Sequence, residues 1–286
     1  MRWTPGDRSN IEDMRGRSGI GMRAGGLGIG GVLVLLLLSW ATGVDFLSLL
    51  GGGGGGGAPV ETVGTSGTVA STPEEEKLVD FVDAVMKDSQ MTWRDLLGDR
   101  YEPTKVRLFR EPIESACGFA QPVSGPFYCP ADHYVYLDLG FFDELRSRLR
   151  ASGDFAEAYV VAHELGHHVQ SLLGIESRMR QLQSQNPSET NELSVRLELQ
   201  ADCFAGVWAH ATNKAGRAQQ GLVELEGGDL EEGLRAAAAI GDDRIQRMQT
   251  GHVFPEKFTH GSSEQRVTWL RRGFDKGTPD GCQTFQ

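Results

Sequence analysis

The stretch Val160-Val161-Ala162-His163-Glu164-Leu165-Gly166-His167-His168-Val169-Gln170 sets two imidazoles four residues apart inside an apolar run. On a helix, positions i and i+4 share a face about one turn apart. Val160, Val161, Ala162, Leu165 and Val169 are what a helix buried in a core would carry. Buried imidazoles and carboxylates need partners, because an unpaired buried charge is costly. Asp154 and Glu157 stand as a capping box before this stretch and Gly174 as a stop after it. The spacing therefore predicts a buried helix of about five turns. His168, five positions from His163, points to a different face and is expected either to support a ligand from behind or to be structural.

The chemistry follows from the H-E-x-x-H spacing. His163 and His167 in this register suit one Zn²⁺, and Glu164 is placed as the base for a water that such a metal acidifies. A third ligand must come from elsewhere. The extended pattern H-E-x-x-H-x-x-G-x-x-H fails, because Gln170 and Leu173 stand where it needs Gly and His. The candidate lies in Val195 to Trp208, a second helical and mostly apolar run. Glu198 and Asp202 are i, i+4 on one face, with Ala201 and Ala205 small enough for another helix to approach closely. Glu198 completes a His₂Glu set, and Asp202 is placed to accept the free ring N–H of a ligand histidine. The competing reading pairs Glu198 with Arg196 on a wet surface; Glu192 and Glu189 are rival ligands in a more polar stretch. His260 is either an electrophile over the reacting carbonyl or a hydrogen-bonded loop histidine.

The pairing of HELGHHVQ with ELQADCFAGVW resembles the membrane-associated neutral zinc metallopeptidases of bacteria, a gluzincin-type family. Met1-Arg2-Trp3, Ser9 to Asp13, Ile240 to Arg244 and His260 to Arg266 resemble other segments of that family. The resemblance implies peptidase activity on a peptide or protein substrate. It makes His163 and His167 zinc ligands, Glu198 the third ligand and Glu164 the base. It also implies a substrate-docking edge strand beside the active-site helix. His133 to Asp138, alternating and rich in β-formers, is proposed as that strand, with an interior strand as the alternative.

Around these motifs the chain divides by composition. Residues 1–26 hold five arginines and read as a cytoplasmic tail by the positive-inside rule. Residues 27–50 are apolar enough to span a bilayer as one transmembrane helix, with a cleaved signal peptide as the alternative. Residues 51–72 open with seven glycines and read as a flexible tether. Residues 73–286 form the catalytic domain, expected on the extracytoplasmic side. The expected fold is α+β, mostly helical and zincin-like, with a small antiparallel sheet. Helices are predicted over 74–86, 91–97, 140–150, 230–240 and 263–274, and a strand over 104–109.

A formal charge of −11, with no basic stripe beyond the first residues, argues against a nucleic-acid partner. Four cysteines (Cys117, Cys129, Cys203, Cys282) allow three pairings; Cys117–Cys129 with Cys203–Cys282 is one, and buried free thiols are another possibility. Two further readings of the whole chain stand beside a zinc peptidase. One is a zinc-stabilised binding or chaperone module without turnover; the other is a hydrolase of non-peptide envelope amides.

Overall fold

The computed structural model describes residues 1–16, 71–120 and 125–285. Helix α1 (Pro73–Leu97) starts where the Thr72 hydroxyl accepts the amide of Glu75, with Pro73 at its first position and three glutamates in its first turn. It is one helix where two were expected. No Gly or Pro interrupts it, and the buried Gln90 is tied to Asn10, Tyr101 and Thr104.

The sheet has four strands: β1 (Ile11–Asp13), β2 (Lys105–Phe109), β5 (Phe127–Cys129) and β6 (Tyr134–Asp138). Their order is β1-β2-β6-β5, parallel at the first two junctions and antiparallel only between β6 and β5. The expected antiparallel sheet is thus corrected to a mixed one. The chain leaves β2, makes a separate hairpin of β3 (Ile113–Ser115) and β4 (Gly118–Ala120), lays down β5, and turns back into β6 alongside β2. Two further findings come from the same topology. Residues 134–138 form an interior strand, the second of the two readings, flanked by β2 and β5, so β1 and β5 are the edge strands. And Ile11–Asp13 pair with Val106–Leu108, so residues 1–16 belong to the same body as the domain. Arg8 meets Asp80 and Glu76, and the buried Arg15 meets Asp13, Glu75 and Glu76. These arginines neutralise the acidic start of α1. The arginine-rich start of the chain thus contributes a strand to the sheet of the domain.

The helices are α2 (Gly140–Ser147), α3 (Asp154–Leu172), α4 (Ile175–Gln185), α5 (Thr190–Thr212), α6 (Asp229–Ala239), α7 (Asp242–Thr250) and α8 (Ser263–Lys276). α3 is central and packs on α1, α5 and α6. Its cap differs from the expected one. Gly153, at φ 123°, precedes it without a side-chain cap, and Glu232 from α6 accepts the Phe155 amide instead. Glu157 turns to Arg146. Gly174 ends the segment at φ 69°, as expected. Both cysteine pairs, Cys117–Cys129 and Cys203–Cys282, are disulfides.

Among the described residues no helix is long and apolar enough to cross a membrane. The expected transmembrane run 27–50 and the glycine run lie outside the described residues.

Two helix crossings are set by glycine. A Cβ on Gly166 of α3 would lie 3.0 Å from the Ala201 carbonyl oxygen of α5. A Cβ on Gly273 of α8 would lie 1.9 Å from the Cys203 carbonyl oxygen, closer than any packing allows. Gly273→Ala should therefore force α8 off α5 and cost about 1–3 kcal/mol or more, read as a lower urea midpoint with unchanged m-value.

Candidate metal centre

The Gly166–Ala201 approach lays the face of α5 carrying Glu198 and Asp202 against the imidazoles of α3. His163 Nε2 stands 3.2 Å from His167 Nε2 and 3.2 Å from Glu198 Oε2, and His167 Nε2 stands 3.5 Å from Glu198 Oε1. Four tetrahedral donors around zinc stand about 3.3–3.6 Å apart, given metal–ligand bonds of about 2.0–2.2 Å. The three residues fit such an ion.

The electrostatics point the same way. Burial works against charge on His163, but Asp202 first, and Glu198 with it, carry its pKa up to about 10. Burial alone would raise the pKa of Glu198; His167 and then His163 outweigh it and hold the carboxyl well below its usual range. The proton drawn onto His163 marks a place where the two carboxylates favour a positive charge, which a metal cation could supply in its stead. A second acidic group, Asp154, Asp229 and Glu232, has its cation already, the Met1 amino group 3.2 Å from Asp229.

Each of the two imidazoles is held from behind. His163 Nδ1 donates to Asp202 Oδ1 at 2.9 Å. The same carboxylate accepts the Tyr159 hydroxyl at 2.5 Å and both Nε and Nη2 of Arg266 at 2.9 Å. Burial raises the Asp202 pKa, and Arg266, followed by His163, brings it below the usual value. His167 Nδ1 lies 2.8 Å from Gln170 Oε1.

A cleft of about 780 Å³ opens over the cluster, with Glu164, Phe127, Tyr128, Val160, Ile240, Met248 and His260 among its walls. Glu164 is buried, at 7 % exposed, between His163 and His167 in the sequence. His260 sits half-exposed at the mouth. Its Nδ1 is 3.3 Å from Asp242 Oδ1, and this hydrogen bond, against burial, raises its pKa. Asp242 Oδ2 accepts the amides of Thr259, His260 and Gly261, so the first residue of α7 shapes the loop that presents His260.

The structure thus brings together His163, His167, Glu198, Asp202 and Glu164 and adds His260 across the cleft. Glu189 and Glu192 are exposed and take no part; Glu192 pairs with Arg196. Tyr159, Gln170, Gln200 and Arg266 carry contacts to which sequence reasoning assigned no role. For Tyr159 a signal existed: it lies four residues before His163 on the same helix face. For Arg266, on α8, no spacing could have found Asp202.

His168 is structural, the second of its two readings. Its Nε2 donates to the Glu102 carbonyl at 2.7 Å, and its Nδ1 lies 3.1 Å from the Tyr128 hydroxyl. Burial lowers its pKa from 6.5 to about 4. The unfolded chain binds the proton first, so this stability is complete above pH 6.5 and is lost as the pH falls towards 4. The loss should reach about 3 kcal/mol. Urea titrations between pH 7 and 4 should show it in the parent and a flatter profile in His168→Asn.

A family model described as "Putative neutral zinc metallopeptidase" matches residues 1–285. The chain belongs to this family. It is 45 % identical to "Uncharacterized protein YpfJ" of Escherichia coli (strain K12) over 298 residues, covering 100 % of this chain and 99 % of that one. It is also 45 % identical to "Uncharacterized protein Rv2575" of Mycobacterium tuberculosis over 197 residues, 68 % of this chain and 66 % of that one. No solved structure matches.

Proposed function

We propose that the chain is a zinc-dependent peptidase in which His163, His167 and Glu198 hold the metal. The observation that carries this reading is the convergence of those three donors at 3.2–3.5 Å on the floor of a cleft that also contains Glu164. Zinc held there would acidify a water and polarise the scissile carbonyl. Glu164 takes the proton of the attacking water and returns it to the leaving amine. His260, backed by Asp242, faces the negative charge that grows on the carbonyl oxygen. Asp202 fixes the His163 ring and stays ionised because Arg266 compensates it.

A peptide is favoured over a small amide by β5. It is one of the two edge strands of the sheet, and its Phe127 and Tyr128 line the cleft. An edge strand suits an extended peptide added as a further strand. A binding module without turnover has no use for a carboxylate beside the metal ligands, so Glu164 favours catalysis. We propose too that the apolar run 27–50 attaches the chain to a membrane, with the domain on the oxidising, extracytoplasmic side where its two disulfides persist.

The test compares cleaved termini in cells producing the parent or Glu164→Gln, with metal content measured on both purified proteins. Zinc at one per chain and termini seen only with the parent are expected. Identical termini in both would end the peptidase reading.

A further inference from the structure

The second ligand histidine is held differently from the first. Behind His163 stands a carboxylate; behind His167 stand two amides in series. Both are buried, Gln170 fully and Gln200 at 3 % exposed. Gln170 Nε2 donates to the Leu197 carbonyl at 2.7 Å and to Gln200 Oε1 at 3.1 Å. Gln200 Nε2 donates to the Cys282 carbonyl at 2.8 Å.

The direction of this chain follows from its ends. A backbone carbonyl only accepts, so the Leu197 and Cys282 oxygens oblige both amides to point Nε2 at them. Gln170 Oε1 is then left facing His167 Nδ1 at 2.8 Å, and it too only accepts. His167 must carry its proton on Nδ1, which leaves the lone pair of Nε2 directed at Glu198 and His163. The far end is not free to drift. Cys282 is covalently bound to Cys203, the neighbour of Asp202 on α5. Leu197 is the neighbour of Glu198. Every fixed point of the relay thus sits beside another element of the metal centre.

We propose that Gln170 and Gln200 are positioning residues for the metal, setting the tautomer and tilt of His167 through a relay anchored on the disulfide-held C-terminal segment. This rests on the zinc reading above. In a buried site, a ligand whose outer partner is lost typically binds metal about 10–100-fold more weakly.

The test uses full-length parent, Gln170→Met, Gln200→Met and the Cys203→Ala/Cys282→Ala pair. Zinc affinity is measured by chelator competition, and the hydrogen-bonded imidazole N–H protons of the zinc-loaded proteins by NMR. Gln170→Met should bind zinc about 10–100-fold more weakly. It should lose the His167 Nδ1–H resonance to solvent exchange while keeping that of His163, which Asp202 still holds. Gln200→Met and the cysteine pair should fall between Gln170→Met and the parent. A merely structural role would lower the unfolding midpoint without this selective loss. Should Gln170→Met not fold, Gln200→Met decides, since its contact with His167 is indirect. Parent-like affinity and an intact His167 resonance in the folded variants would overturn the relay and leave the zinc site standing. A parent that takes up no zinc would overturn both.

Discussion

Glu164→Gln protein should take up zinc as the parent does and hydrolyse peptides about 10²–10⁴-fold more slowly, the usual contribution of a positioned base. The substitution is nearly isosteric. Glu164 lies on the face of α3 that lines the cleft, and its neighbours His163 and His167 are held by Asp202 and Gln170, which it does not touch. An amide in its place cannot accept the proton of the attacking water. The loss should therefore appear in kcat, with metal content unchanged. Activity within a few-fold of the parent at equal zinc would remove Glu164 from the reaction. Lost zinc would instead make it part of the metal's holding set.

Arg266→Leu should be among the most destabilising single changes in the chain, at about 3–5 kcal/mol, the usual cost of removing one partner from a buried ion pair. Asp202 has no exposed surface and receives two of its four hydrogen bonds from Arg266. Without the guanidinium its charge is left to a tyrosine and an imidazole. Adding Asp202→Leu should recover much of the stability, because a pair of apolar residues leaves no charge buried alone. It should not recover zinc affinity, because His163 then lacks its acceptor. Urea unfolding with zinc chelated measures the first quantity and chelator competition the second. A double variant no more stable than Arg266→Leu would mean that shape, not charge, makes Arg266 necessary.

The centre of this molecule was readable from its sequence because its chemistry is local. His163, Glu164 and His167 lie within one and a half turns, and Glu198 and Asp202 repeat the same spacing on a second helix. Small residues on the second helix, Ala201 and Ala205, left their own trace. What escaped reading depends on distance along the chain or on brevity. β1 and β5 are three residues each, too short for alternation to declare itself, so the docking edge was assigned to the longer β6. Gln170 looked only like the absence of a pattern glycine, and its partners Gln200 and Cys282 carry no spacing rule. The cap of α3 escaped because its acceptor is Glu232, on another helix.

Arg15 and Ser71 are neighbours, with Nη1 of one 3.4 Å from Oγ of the other. The two points between which the sequence carries its apolar and glycine-rich run are thus adjacent in the body, as the flanks of a domain insertion are. A short bridge from Arg15 to Ser71 would suffice to close the gap. Such a bridge would join Arg15 directly to the start of α1, whose first turn it already meets through Glu75 and Glu76.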